Sequence, residues 1–150
     1  MEYSFKWDSR FLELAKLVST YSKDPSTQVG AVIVSPDKSV VSVGYNGFPR
    51  GMEDKLELLS NREEKYSRII HAEVNALINA LISAKRDLIG YTLYTYPFMC
   101  CDRCAVQMIQ AGITTFVYTK ATEEQSKRWQ PAFDRVHQYF AECHVQYREY

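Results

Sequence analysis

The chain has 150 residues, 46% of them hydrophobic and 24% charged, and its eighteen basic side chains balance eighteen acidic ones. This size and mix suit one globular domain over 1–150 that buries a core without staples, and exclude a disordered chain. Charge neutrality argues against gripping long nucleic acid but leaves a small anionic ligand open, and neither a membrane-length apolar run nor a signal-peptide pattern is present.

In chain order, Trp7, Phe11, Leu14 and Val18 recur at helical spacing, with Asp8 or Ser9 as the expected N-cap and an end near Tyr21. Thr27 to Val34 reads as a buried strand. Pro36-Asp37-Lys38 turns the chain into a second strand, Val40 to Gly44. Gly44 to Gly51, rich in glycine and aromatics, reads as a loop. Glu53 to Arg68 is charged and partly helical, and its Glu63-Glu64-Lys65 run, like Arg86-Asp87, reads as a solvated face. His71 to Ala84 is a helix with Val74, Leu77, Ile78 and Leu81 on its apolar stripe. A strand at Tyr91 to Tyr96, a helix at Cys101 to Ala111, a strand at Thr114 to Tyr118, a helix at Glu123 to Ala141 and a strand at Val145 to Arg148 complete the chain. Strands joined through helices imply parallel neighbours. The expected fold is α/β, a five-stranded mixed sheet with helices on both faces.

Two segments carry chemistry, His71-Ala72-Glu73 and Cys101-Asp102-Arg103-Cys104, each at the predicted start of a helix. Within a helix, residues two apart diverge by roughly 200°, so His71 and Glu73 serve one site only at a helix end. Cys101 and Cys104 share a face, and a helix N-terminus favours thiolates. One His and two Cys are ligand types that zinc prefers, and three protein ligands leave a fourth position for water, the catalytic pattern. Glu73, a carboxylate outside that set, is placed to carry protons.

The pattern H-x-E followed by a C-x-x-C pair, with Pro97 upstream, resembles the zinc deaminases. The blocks Ser22 to Ala31, Gly44 to Pro49, His71 to Ala76, Cys101 to Ala105 and Ile109 to Ile113 narrow the likeness. The chain is similar to deoxycytidylate (dCMP) deaminases of the cytidine deaminase-like superfamily, over most of its length. The family's proline before the first metal cysteine is Cys100 here. The register set by Cys104 to Gly112 selects Cys101 and Cys104 as ligands and leaves Cys100 a neighbour. Gly51 to Arg68 holds no cysteine or histidine, so one zinc per chain is expected.

The resemblance implies a three-layer sandwich that hydrolyses dCMP to dUMP and ammonia for thymidylate supply. His71, Cys101 and Cys104 would hold the zinc. Glu73 would move protons to N3 and to the departing amino group. Ala72 N–H would hold the base carbonyl, Asn46 the sugar hydroxyl and Thr27 the base, with Tyr118 stacking on the ring. Arg103, Lys120 and Lys23 are phosphate candidates by charge and position. The resemblance also implies a homohexamer activated by dCTP and inhibited by dTTP, with Mg2+ accompanying a triphosphate. Lys23, Tyr45, Asn46, Gly47, Phe48 and Arg50 are the candidate effector residues. The expected location is the cytoplasm, or host cytoplasm for a viral chain.

Blander readings exist for these residues. A lone His71 would be a core histidine, Cys101 and Cys104 a thioredoxin-like pair, and Gly44 and Gly47 turn formers. His137 and His144 read as packing or surface residues and Cys143 as core. Trp129, Phe133 and Phe140 fall at helix-core spacing. Competing functions are a deaminase accepting dCTP as well, a tRNA adenosine deaminase, a riboflavin-pathway deaminase and a non-catalytic zinc module. Charge balance disfavours the tRNA reading, the short cysteine motif the riboflavin one, and Glu73 the module.

Overall fold

The computed structural model describes residues 2–85 and 87–150, so Arg86 lies outside the described residues. Five strands form one sheet in the order β2-β1-β3-β4-β5. They are β1 (Gly30–Val34), β2 (Val40–Tyr45), β3 (Thr92–Tyr96), β4 (Thr115–Tyr118) and β5 (Gln146–Glu149). β1 pairs antiparallel with both β2 and β3, while β3, β4 and β5 run parallel. The helices are α1 (Glu2–Ser19), α2 (Leu56–Ser60), α3 (Arg62–Arg68), α4 (Ala72–Ser83), α5 (Asp102–Gln110) and α6 (Glu123–Glu142). This is the expected mixed α/β sheet covered on both faces.

β1 shows why the chain has three layers. All five of its residues are buried. Val32 and Val34 pack with Phe11, Leu12 and Ala15 of α1, whereas Ala31 and Ile33 pack on the opposite face with α4, α5 and α6 residues. The period of two sends alternate side chains into two separate cores.

Two glycines set how closely the layers approach. A Cβ on Gly30 would stand 1.9 Å from Ala15 O of α1, and one on Gly44 would stand 2.3 Å from Ala76 N and 2.4 Å from Ala72 O of α4. Gly44 is thus not a turn former. It lies within β2 and lets the α4 backbone rest on the strand. Ser42 Oγ donates to Ala76 O at 2.8 Å, and Asn75 and Asn79 Nδ2 donate to Tyr45 O and Val43 O, each at 2.8 Å. The two asparagine bonds also occupy carbonyls of β2, an edge strand.

The close approach shifts the buried face of α4 from the predicted stripe to its small residues: Val74 and Leu77 still pack against the core, but only partly buried, and Leu81 is left exposed. Ala72, Glu73, Ala76 and Ala80 are buried, because only small side chains fit against β2. Leu81 and Ile82 remain 56% and 61% exposed.

Asp8 is not an N-cap, since α1 begins six residues earlier. It is buried, and its carboxylate accepts from Tyr94 Oη (2.8 Å), Arg148 Nε (2.5 Å) and Nη2 (3.0 Å), and Tyr150 Oη (2.8 Å). One side chain therefore ties α1 to β3 and to the chain's last strand. Burial raises the Asp8 pKa, but the hydrogen bonds from Arg148, Tyr150 and Tyr94 outweigh it and the net shift is downward.

Replacing Gly44 by Ala is expected to cost about 2 kcal/mol or more by forcing backbone apart, read from urea unfolding. Asp8→Ala should cost about 2–3 kcal/mol. Because the folded pKa of Asp8 lies below the ordinary value of ~3.9, its contribution is full above that value and lost as pH falls through the folded pKa. The stability gap between wild type and Asp8→Ala should therefore close on acidification over that range.

Candidate active site

Two helix N-termini converge to build the site. His71 is the N-cap residue of α4, in extended conformation, and Cys101 is the N-cap residue of α5. Neither caps its helix through its side chain. Both are left free for each other: His71 Nδ1 lies 3.5 Å from Cys101 Sγ and 3.4 Å from Cys104 Sγ. The three ligand atoms all lie within 4.8 Å of one another. A tetrahedral ion with zinc–nitrogen and zinc–sulfur bonds of about 2.1 and about 2.3 Å would place nitrogen and sulfur about 3.6 Å apart. The donors thus fit zinc in type and spacing.

Electrostatics point the same way. The Cys101 thiol is pulled down, to about 4, by hydrogen bonds from Cys104 and His71 working against burial. Bonding to Cys101, and burial, push Cys104 up. His71 rises to about 9, mainly through its bond to Cys101 and against its own desolvation. Without a cation the cluster holds a thiolate against an imidazolium, while a dication lets both sulfurs ionise.

Glu73 lies in the first turn of α4, buried and outside that group of three. Burial is the largest influence on its carboxyl and raises its pKa; the His71 charge opposes this. Glu73, His71, Ala72 and Cys101 line one cavity with Thr27, Asn46 and Lys65. Its apolar wall includes Val29, Ile69, Phe98, Met99, Trp129 and Phe133. Phe98 stacks obliquely with Trp129 (centroids 6.1 Å apart) and Phe133 (5.8 Å). Trp129 and Phe133, read from the sequence as helix core, thus face the cavity as well.

A hydrogen-bonded loop closes the cavity. Asn46 Oδ1 accepts from Val29 N (2.8 Å), and its Nδ2 donates to Thr27 O (2.8 Å) and Asp24 Oδ2 (3.4 Å). Asn46 therefore pins the 24–29 segment while lining the pocket. Gly47 exchanges backbone hydrogen bonds with Ile70, joining the Gly44–Gly51 loop to the residue before His71.

Lys65 departs from its sequence reading. It is buried and its Nζ lies 3.1 Å from Asp24 Oδ1. Inside a run of charges, no pattern marked this lysine as the one that turns inward to meet an aspartate 41 residues away.

Other candidates stand elsewhere. Tyr118 is buried under α6, donates to or accepts from His137 Nε2 at 3.2 Å, and does not line the cavity. It borders a separate hollow with Met99, Phe133 and His137. Arg103 is exposed on α5, and Lys120 lines the hollow beside Tyr118; neither borders the cavity. Lys23 is exposed and paired with Asp54 at 2.7 Å. Arg50 donates to Asn79 Oδ1 at 2.9 Å, exposed Tyr45 meets Tyr21 edge-on at 6.0 Å, and Phe48 is half-buried. Of the six effector candidates only Asn46 reaches the cavity. Sequence reasoning missed Lys65 and Arg128 as cavity-lining cations, and Phe98 and Met99 as walls.

Residues 5–120 match the cytidine and deoxycytidylate deaminase zinc-binding region. An uncharacterized deaminase of Aliivibrio fischeri is 44% identical over 124 residues, 83% of this chain and 80% of that one. The deoxycytidylate deaminase of Homo sapiens is 36% identical over 118 residues, and the match spans 75% of this chain but only 64% of the human protein. A probable deoxycytidylate deaminase of Caenorhabditis elegans is 39% identical, the match spanning 62% of its length. The dCMP deaminase of cyanophage S-TIM5, solved with dCMP and dUMP, superposes with a TM-score of 0.75 at 24% identity, covering 97% of each chain, and so shares the fold.

Purified protein should carry one zinc per chain by elemental analysis. His71→Ala and Cys104→Ala should lose it, whereas Glu73→Gln should keep it, because Glu73 lies outside the donor set.

Proposed function

Because this chain belongs to the cytidine and deoxycytidylate deaminase zinc-binding family, we propose that it hydrolyses dCMP to dUMP and ammonia. The observation that carries the reading is the buried carboxylate of Glu73 in one cavity with His71 and Cys101, whose ligand atoms cluster with the sulfur of Cys104. Relatives named as deoxycytidylate deaminases support the choice of base and sugar.

Zinc held by His71, Cys101 and Cys104 would supply an activated water, since coordination lowers the pKa of water from ~15.7 towards ~7. Glu73 takes the proton from the attacking water and gives it to N3 of the cytosine ring. Once the oxygen is bonded to C4, Glu73 takes the remaining proton from that new hydroxyl and hands it to the exocyclic amino group; the C4–N bond then breaks, ammonia leaves and the C4 carbonyl forms. Burial suits Glu73 to this shuttle, because it brings a carboxylate's proton affinity closer to neutrality. Ala72, the first residue of α4, lines the cavity, and its N–H has no intrahelical acceptor. It is the donor for the base carbonyl. Phe98, Trp129 and Phe133 shape a slot for a flat ring and keep bulk water from the reacting carbon. Thr27 and Asn46 border the same space, where the sugar would lie.

The reading includes a homo-oligomer, a hexamer by family likeness, with dCTP and dTTP as effectors. Self-association is supported by an apolar groove between α4 and α5, where Leu81 and Val106 are 56% and 44% exposed. Lys23, Tyr45, Gly47, Phe48 and Arg50 cluster on the loops around Asn46, outside the cavity, and are the proposed effector contacts. Among the described residues no second group of His, Cys, Asp or Glu offers a cation site, so Mg2+ enters only with a triphosphate. A reducing, cytoplasmic setting is supported by four cysteines that are all unpaired. No described helix is long and apolar enough to cross a membrane.

Chromatography of products from dCMP, with and without dCTP, tests the proposal. Formation of dUMP is expected, rising when dCTP is present, and Glu73→Gln should slow it by roughly 10²–10⁴-fold. Formation of dUTP from dCTP alone would widen the substrate range to triphosphates. No uracil nucleotide from zinc-loaded, folded protein would overturn the assignment.

A further inference from the structure

The cations expected to meet a phosphate do not border the cavity, yet another does. Among the described residues lining it, three carry basic side chains: Lys65, His71 and Arg128. Lys65 is committed to buried Asp24, and His71 to the cysteine pair. Arg128, exposed on the first half of α6, has no carboxylate within salt-bridge distance among the described residues.

Its guanidinium is held in place all the same. One Nη2–H donates to Tyr66 Oη at 2.9 Å, and its Cζ stands 5.1 Å from the centre of the Trp129 ring. A guanidinium has five N–H donors, so most remain for a ligand. Arg62, on α3, lies over the other part of the same tyrosine, its Cζ 5.3 Å from the Tyr66 ring centre. A shallow groove bordered by Arg62 continues outward from the cavity and shares Tyr66, His71, Arg128 and Trp129 with it. The cavity thus joins the buried Glu73 carboxyl and an aromatic lining to one exposed guanidinium, Arg128, while Arg62 borders only the adjoining groove. A ligand that fills it should be a flat ring at one end and an anion at the other.

We propose that Arg128, assisted by Arg62, receives the 5′-phosphate of the nucleotide and makes the site prefer a monophosphate over a free nucleoside. This rests on the nucleotide reading of the cavity. Arg128 is the principal partner because it borders the cavity itself, and a planar fork meets two phosphate oxygens at once. Arg62 adds charge further out.

Calorimetric titration of zinc-loaded protein with dUMP and with deoxyuridine tests this without turnover. Wild type should bind dUMP the more tightly. Arg128→Gln should shrink that preference by roughly 30-fold, almost wholly through dUMP. Arg128→Lys should recover part of it, and Arg62→Gln should lose less than Arg128→Gln. If Arg128→Gln weakened both ligands alike, the residue would be a latch between α6 and α3 and the inference would fall. It would equally fall if the preference survived in Arg128→Gln while wild type still converted dCMP. Wild type that bound neither ligand and formed no dUMP would sink the nucleotide reading, and this inference with it.

Discussion

The approach of α4 to β2 at Gly44 is the contact on which the site depends. A strand and a helix normally keep apart by the length of their side chains. Here a missing Cβ on Gly44 and the small side chains Ala72, Ala76 and Ala80 let backbone meet backbone. The first turn of α4 is thereby held against the sheet, and His71 and Glu73 ride on that turn. The α5 N-terminus follows β3 at the sheet's C-terminal edge and brings Cys101 and Cys104 to His71. Two helix N-termini pointing at one place add partial positive charge, which helps a cluster of thiolates exist next to a carboxylate.

Around that pair of helix ends the polar loops are tightly satisfied. Asp24 takes hydrogen bonds from Ser26 N (2.8 Å) and from Lys65 Nζ (3.1 Å), Ser22 Oγ donates to Asn46 O (2.8 Å), and Gln28 Nε2 to Ser22 O (2.6 Å). Burying Asp24 and Lys65 is costly unless each is paired and bonded, and both are. The result is a cross-bonded part of the cavity lining, formed by residues from three separate stretches of chain. The outer rim is different in kind. Arg62, Tyr66 and Arg128 are exposed and connected to each other by ring contacts and one hydrogen bond. Ordered interior and polar rim match what a small nucleotide demands, a fixed base and a solvated phosphate.

The far side of the sheet has a simpler task. α1 packs through Phe11, Leu12 and Ala15 on Val32, Val34 and Tyr94, and the Asp8 cluster joins this helix to β3 and β5. No donor of the proposed zinc site lies on that face. The parallel half of the sheet, on which the α5 N-terminus depends, is thus braced from behind by groups that take no part in the chemistry.

Residue type and short-range spacing were enough to read the α/β alternation, the helix starts at His71 and Cys101, and the set His71, Glu73, Cys101 and Cys104. Those are local properties: a period of two or 3.6, a C-x-x-C step, a carboxylate two residues from an imidazole. What lay beyond reach depended on partners distant in the chain. Asp8 read as a cap because nothing nearby shows Arg148 waiting 140 residues on. The α4 stripe read as leucine and valine because the glycine that selects alanines lies on another element. Lys65 read as part of a solvated face and Arg128 carried no signal at all, though one meets Asp24 across 41 residues and the other Tyr66 across 62. The sequence by itself determined which chemistry the chain carries. Only the tertiary structure decided which charges face the cavity, because burial and pairing are set by whatever packs opposite, and periodicity along one segment holds no record of that.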